Sequence, residues 1–182
     1  PYAASKASGD LSLIPYFKNY NFPVVFTRAT NVYGAHQQLY RIIPRAVIYI
    51  KQNKKIQLQG GGKAVKSYIH IHDVCAATLQ IARNGKNGEI YHISPDGEGI
   101  SIVDLVSIIC AKMGRPLDDC VTMVDERLGQ DAFYLIDSNK LRETLGWKPQ
   151  ISLEKGIAEV IVWVEENFEA IQNSPLEYIH QP

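Results

Sequence analysis

The chain has 182 residues, of which 46% are hydrophobic and 21% are charged, a composition typical of a globular protein with enough apolar side chains for a core. Nineteen basic and nineteen acidic residues give a formal net charge of zero. This balance argues against nucleic acid or an anionic membrane as a partner, so a local group of side chains must bind any anionic ligand.

The cysteines and the first residues indicate the cellular compartment of the protein. Cys75, Cys110 and Cys120 are odd in number and lack Cys-x-x-Cys spacing, which argues against a disulfide scaffold or a zinc ribbon and favours a reducing cytoplasm. No apolar run approaches the roughly 20 residues of a membrane span. Residues 1–6 have no signal-peptide pattern and no initiator methionine, so we expect the chain to be an internal part of a longer, cytoplasmic protein.

Hydrophobic periodicity and turn residues predict helices and strands that alternate along the chain. The predicted helices cover residues 3–20, 41–51, 74–83 and 153–171, with two more that begin at residue 101 and near residues 137–138. The predicted strands cover residues 24–26, 55–59, 65–71, 89–93 and 121–124. Asp73 and Ser101 are the expected N-caps of the helices that follow them. Residues 29–34 are expected to be the loop after the first strand. The alternation predicts an α/β fold.

Tyr2 and Lys6 form a Tyr-x-x-x-Lys motif at the start of the first predicted helix. This spacing brings a phenol and an ammonium group onto one helix face, about one turn apart. A free tyrosine loses its proton near pH 10, so it needs a nearby cation to act as a base near neutral pH, and a lysine can supply that charge. The motif alone also fits an ordinary pair of helix-surface side chains.

Six ordered segments extend the pattern well beyond this motif. They are residues 1–8 (PYAASKAS), 27–34 (TRATNVYG), 41–44 (RIIP), 68–74 (YIHIHDV), 88–93 (GEIYHI) and 145–149 (LGWKP). Together they resemble the NAD-dependent epimerase/dehydratase family of extended short-chain dehydrogenases/reductases, and most of all its dTDP-glucose 4,6-dehydratase branch. The resemblance runs from residue 1 to about residue 171.

The resemblance implies an architecture: the C-terminal part of a Rossmann-fold sheet plus a small α/β substrate-binding domain. Residues 1–34 would be the end of the NAD-binding Rossmann domain. Residues 35–182 would form mainly the sugar-nucleotide-binding domain, with residues 74–93 returning to the Rossmann sheet. The glycine-rich dinucleotide fingerprint and the upstream Ser/Thr that partners the tyrosine would lie outside this chain.

The resemblance also implies roles for individual residues. Tyr2 would be the catalytic acid/base and Lys6 would hold the nicotinamide ribose, so both would contact NAD. The substrate-binding positions implied in the same way are Asn31, Arg41, Ile42, Gln57, Leu58, Gln59, Lys66, His92 and Arg127. Two of them have ordinary alternatives, because Asn31 also fits an Asx-type turn and Arg127 also fits a surface arginine paired with a neighbouring acid.

Three positions depart from the family pattern. Lys66 stands where the family usually has an arginine facing the diphosphate, which keeps the charge but loses the bidentate fork. Leu128 and Gln130 stand where many relatives have proline and histidine. The preferred nucleotide therefore stays open.

The implied reaction is oxidation of a nucleotide-linked hexose at C4 by NAD, followed by loss of water. A nucleotide-sugar 4-epimerase is the alternative, and a non-catalytic sugar-nucleotide-binding protein is an alternative of another class, against which the retention of Tyr2 and Lys6 argues. A homodimer is expected, because the first helix has more apolar surface than one sheet face would cover and the family commonly pairs this helix with its symmetry mate. The apolar residues are Leu11, Leu13, Ile14 and Phe17.

Two further patterns favour ordinary structural roles. Gly60, Gly61 and Gly62 precede Lys63 but lack the spacing of a phosphate loop, so a turn is favoured. His70, His72 and Asp73 could share a metal ion, but packing within a strand and a helix cap are favoured, and no metal site is expected.

Overall fold

The computed structural model describes residues 2–126, 129 and 131–178. Its helices are α1 (Tyr2–Tyr20), α2 (Ile42–Lys51), α3 (Ile71–Asn84), α4 (Ile102–Lys112), α5 (Leu117–Cys120), α6 (Asn139–Leu145), α7 (Leu153–Glu166) and α8 (Phe168–Ile171). Its strands are β1 (Phe26–Ala29), β2 (Asn31–Tyr33), β3 (Ile56–Gln59), β4 (Val65–Lys66), β5 (Tyr68–His70), β6 (Ile90–Ile93), β7 (Ile100–Ser101), β8 (Val121–Val124) and β9 (Phe133–Tyr134). Within this part of the chain, no helix is long and apolar enough to cross a membrane.

The strands of the described residues form four small sheets. Three are parallel pairs, β1 with β6, β2 with β5, and β3 with β8. In the fourth sheet β4 lies between β7, which is antiparallel to it, and β9, which is parallel to it. Parallel strands need long crossover connections, which here contain helices, and the α/β class predicted from the sequence is confirmed.

The buried apolar residues of the described part of the chain form two cores. The larger core joins α2, β3, α4, β8 and α7, because each of them turns apolar side chains toward it at helix or strand spacing. The smaller core joins α3, β6 and α6 with the Trp147 segment. The pairing of β1 with β6 brings residues 26–29 beside residues 90–93. The chain thus returns to its first strand after the intervening elements, several of which belong to the larger core.

The segment between α1 and α2 differs from the prediction. The first strand begins at Phe26 rather than at residue 24, and the predicted loop at 29–34 contains β2. Asn31 of β2 pairs with Tyr68 of β5. Local periodicity could not reveal β2, because a three-residue strand is defined only by its distant partner.

The segment around Asp73 also differs. The predicted strand 65–71 is two strands separated at Ser67. Helix α3 begins at Ile71 and its N-cap is His70. The His70 Nδ1 accepts a hydrogen bond from the His72 N–H at 3.4 Å. The prediction that Asp73 caps this helix is therefore wrong. Its carboxylate instead accepts bonds from the backbone N–H groups of Gln150 and Ile151.

Of two other predicted helix boundaries, one is confirmed and one differs. Ser101 caps α4 as predicted, with its Oγ accepting a bond from the Asp104 N–H at 3.1 Å. The predicted helix 153–171 is α7 followed by α8, because Asn167 leaves the helical region with φ −109° and interrupts it.

Candidate active site

Tyr2 and Lys6 lie in the first turns of α1, as the spacing predicts. The Lys6 Nζ is 5.7 Å from the centroid of the Tyr2 ring. The Tyr2 side chain is 75% exposed, so that a ligand can reach its hydroxyl directly. The structure therefore offers a phenol with an ammonium group beside it on an open face, an arrangement able to perform proton transfer once a substrate lies there.

Two contacts fix α1 to the rest of the molecule. Asp10, one turn after Lys6, forms an ion pair with Arg28 of β1. Phe17 packs on Gly88, where an added Cβ would lie 2.2 Å from a ring atom of the phenylalanine. Gly88 also has φ +81°, a conformation that favours glycine. These contacts set the position of the Tyr2 and Lys6 side chains relative to β1 and β6.

Strand pairing holds Asn31 against Ser67, the residue that follows Lys66. The Asn31 Nδ2 donates to the carbonyl oxygen of Ser67 at 2.9 Å, and its backbone N–H donates to the same oxygen at 3.2 Å. Asn31 lies in a paired strand and not in the Asx-type turn that the sequence also fitted. Lys66, next to Ser67, is half-buried in β4.

The side chains of β3 alternate between the core and the solvent. Gln57 and Gln59 are exposed, whereas Ile56 and Leu58 are buried. Leu58 is only 1% exposed, so its side chain belongs to the larger core and only its backbone can border a ligand. The two glutamines provide exposed amide groups, which both donate and accept hydrogen bonds.

Gln59 lines a cleft of about 590 Å³ at the carboxyl ends of β3 and β8. Its walls also include Gly60, Lys63, Glu126 and Phe133. Ligands of open α/β sheets bind at the carboxyl ends of parallel strands, and the volume lies in the range of small-molecule sites. Arg127 follows Glu126 in the chain and lies outside the described residues.

The remaining predicted positions lie on other elements. Arg41 is the exposed N-terminal cap residue of α2, with its guanidinium carbon 5.3 Å from the centroid of the Tyr40 ring. Ile42 is half-buried and packs against the larger core. His92 lies on β6, with its Nδ1 3.1 Å from the carbonyl oxygen of Asp137.

A second cleft, of about 440 Å³, was not predicted from the sequence. Lys66 and Tyr68 line one side of it, and the loops 95–99 and 149–152 line the other. Asp96 and Glu98 make that other wall acidic, although Asp96 is paired with Arg142. The only sequence signal for these loops is their proline and glycine content, which indicates turns rather than a ligand site.

His70 is a buried residue whose surroundings the sequence did not reveal. Its ring lies 5.4 Å from the Tyr33 ring and 5.0 Å from the His72 ring, and its Nε2 is 3.5 Å from a carboxylate oxygen of Glu159. Burial lowers the pKa of His70, with the Glu159 carboxylate opposing the shift. Among the described residues, no group of three or more His, Cys, Asp or Glu side chains could hold a metal ion.

Comparison with protein families gives a match over most of the chain. A family model described as GDP-mannose 4,6 dehydratase matches residues 1–160. Among curated proteins, dTDP-D-glucose 4,6-dehydratase of Bos taurus is 34% identical over 179 residues, which cover 96% of this chain and 50% of that protein. The dTDP-glucose 4,6-dehydratase of Xanthomonas campestris is 31% identical over 175 residues, covering 92% of this chain and 50% of that protein. The chain thus spans about half the length of these relatives.

Solved structures agree with this comparison. The dTDP-glucose 4,6-dehydratase of Bacillus anthracis in complex with NAD has a TM-score of 0.86 at 33% identity, covering 93% of this chain and 53% of its own. A UDP-glucose 4-epimerase of Thermotoga maritima has a TM-score of 0.85 at 24% identity, covering 92% of this chain and 54% of its own. At that identity the epimerase shows only that the fold is shared.

Proposed function

Because the chain belongs to the GDP-mannose 4,6 dehydratase family, we propose that it is the C-terminal half of an NAD-dependent nucleotide-sugar 4,6-dehydratase. The observation that carries the proposal is the pair of Tyr2 and Lys6 on an open face of α1, 5.7 Å apart from ring centroid to Nζ. The dTDP-glucose 4,6-dehydratases named above match nearly all of this chain, which supports a dehydratase over other members of the fold.

In the proposed reaction Tyr2 removes the proton of the sugar C4 hydroxyl. NAD, when bound, would supply hydride chemistry: it would take the C4 hydride and, after water has been lost from C5 and C6, return it to C6 while C5 regains a proton. Lys6 would hold the cofactor through the ribose hydroxyls, and its ammonium group would stabilise the phenolate form of Tyr2 that accepts the proton. The residues of this chain fit such a cofactor, because a phenol and an ammonium group start from one exposed helix end.

The nucleotide part of the substrate is proposed to lie along β3, β4 and the connection after β8. Asn31, fixed by Ser67, would accept a hydrogen bond from a sugar hydroxyl, and Lys66 would supply a cation for the diphosphate. Gln57 and Gln59 would border the nucleoside, with Arg41 at the start of α2 and Arg127 supplying further positive charge. Since the chain carries no net charge, a few placed cations must hold the diphosphate.

We also propose that residues 1–34 and 74–93 belong to the Rossmann domain and that most of 35–182 forms the sugar-nucleotide-binding domain. The parallel pairing of β1 with β6 supports this division, because residues 90–93 extend the sheet that residues 26–29 begin. The two separate apolar cores also support it.

A homodimer in the cytoplasm is the proposed state of the whole protein. None of the side chains of α1, all of which are described, is buried, and Leu11 is 66% exposed. The apolar side chains of α1 would be shared between the rest of the Rossmann domain and a second copy of the protein. The three free cysteines agree with a reducing compartment.

The experiment uses the full-length protein with NAD and, in separate reactions, dTDP-glucose, GDP-mannose and UDP-glucose. A 4,6-dehydratase gives a product with a new C6 methyl signal and a C4 ketone in the NMR spectrum. A 4-epimerase gives instead a hexose inverted at C4 that keeps its C6 hydroxymethyl group. A protein that binds these compounds without any conversion would contradict the enzyme proposal.

Tyr2→Phe tests the assigned acid/base. Loss of the hydroxyl should lower the turnover number by roughly 10² to 10⁴ and leave substrate affinity within a few fold, since the hydroxyl moves a proton rather than holding the ligand. Tyr16→Phe is the matched control, because Tyr16 is an exposed tyrosine of the same helix. Near-normal turnover of Tyr2→Phe would remove Tyr2 from the mechanism.

A further inference from the structure

Phe133 is an exposed aromatic residue in the lining of the cleft at the ends of β3 and β8. It is the first residue of β9, a two-residue strand that pairs with β4, and its side chain is 71% exposed. It lines the same cleft as Gln59. An exposed ring in the wall of a cleft offers a flat apolar surface that another flat ring can cover.

Polar groups of three kinds share the cleft with Phe133. Gln59 contributes an amide at the end of β3, Lys63 contributes an ammonium group, and Glu126 contributes a carboxylate. The Glu126 side chain is held against Gly60, where an added Cβ would lie 3.3 Å from the glutamate Cγ. Hydrogen-bonding groups beside an aromatic face suit a planar ring that carries N–H and C=O groups at its edge, which is the chemistry of a nucleobase.

We infer that Phe133 is the residue on which the base of the nucleotide sugar stacks, with the Gln59 amide bonding the edge of the base. This inference rests on the proposed function, which requires a nucleoside diphosphate beside β3. Stacking on an aromatic side chain tolerates every base, because every base has a π face. The residue therefore supplies affinity for the nucleoside, while groups such as Gln59 and Glu126 select among bases.

The test measures binding of GDP, TDP, UDP and inorganic pyrophosphate to the full-length protein by isothermal titration. Phe133→Ala should weaken the affinity for the nucleoside diphosphate that the wild type binds best by about 5- to 150-fold, the range of one base–aromatic stack. Pyrophosphate affinity should stay unchanged, because pyrophosphate has no base. Phe133→Trp should restore nucleotide affinity. With the nucleotide sugar, Phe133→Ala should raise KM and change kcat little, since the stack holds the ground state and the transition state alike.

Met123→Ala is the matched control. Met123 is an apolar side chain on the neighbouring strand β8, is 58% exposed and does not line the cleft. Its removal should leave nucleotide affinity unchanged. Thermal unfolding of both variants should match the wild type, because neither side chain is buried.

The outcomes separate this inference from the proposed function. Wild-type turnover together with unchanged nucleotide affinity of Phe133→Ala would overturn the stacking role and leave the dehydratase standing. A parallel loss of pyrophosphate affinity, or a wild type that binds no nucleoside diphosphate, would also overturn it. Absence of turnover, with nucleotide binding that depends on Phe133, would support the stacking role and contradict the proposed enzyme.

Discussion

Asp73 holds the segment that leads into α7, and its replacement should loosen that segment. The carboxylate is only 3% exposed and accepts bonds from the N–H groups of Gln150 at 2.9 Å and Ile151 at 3.1 Å. A hydrogen bond to a charged group contributes about 1.5–3 kcal/mol, so two bonds set an upper range of about 3–6 kcal/mol. Two effects offset part of this contribution in Asp73→Ala, because water can reach the exposed Gln150 and no carboxylate has to be buried. We therefore expect the free energy of unfolding of this segment to fall by about 2–4 kcal/mol.

Hydrogen exchange of the full-length protein gives the local measurement. The amides of Gln150 and Ile151 should exchange faster in Asp73→Ala, in proportion to this loss of free energy. Asp73→Asn retains one carbonyl acceptor, so its exchange rates should lie between those of Asp73→Ala and the wild type. Asp137→Ala is the matched control, because Asp137 is exposed and accepts one backbone bond, from Asn139 at 2.6 Å. The control should cost about 1 kcal/mol or less.

Two results would refute this reasoning. The first is unchanged exchange of both amides in Asp73→Ala, which would mean that the carboxylate does not hold the segment. The second is a loss in Asp137→Ala as large as that in Asp73→Ala, which would mean that burial adds nothing to the strength of these bonds.

Three other predictions follow from the site and its surroundings. Burial lowers the pKa of His70 below the ordinary value of 6.5, so His70 binds fewer protons in the folded state than in the unfolded state below that pH. The contribution of neutral His70 to the free energy of unfolding is therefore complete above pH 6.5 and is lost as the pH falls. His70→Phe should therefore flatten the unfolding free energy between pH 7.5 and 5, and an unchanged slope would contradict this. Arg127→Ala should weaken nucleotide-sugar binding by roughly 1.5–3 kcal/mol in titration calorimetry, whereas unchanged affinity would make Arg127 an ordinary solvated charge. Leu11→Glu should convert the proposed homodimer into monomers in light scattering, and a wild type that is monomeric at micromolar concentration would reject the dimer.

The sequence by itself determined the features that depend on neighbours within a few residues. The α/β class came from the alternation of helix and strand periodicity, and the start of α4 came from Ser101 and its bond to Asp104. The closeness of Tyr2 and Lys6 followed from the pitch of a helix, because their four-residue separation spans about one turn. The ordered motifs that indicated the family are likewise read directly from the chain.

Only the tertiary structure decided the features that join residues far apart in the chain. Asn31 meets Ser67, and Asp73 meets Gln150 and Ile151, across 36 to 78 residues. Asp73 is an example: the local pattern predicts a helix cap, whereas its carboxylate accepts hydrogen bonds from a loop distant in the sequence. A buried acceptor binds whichever donor the packing of the elements brings to it, and no local periodicity records that packing.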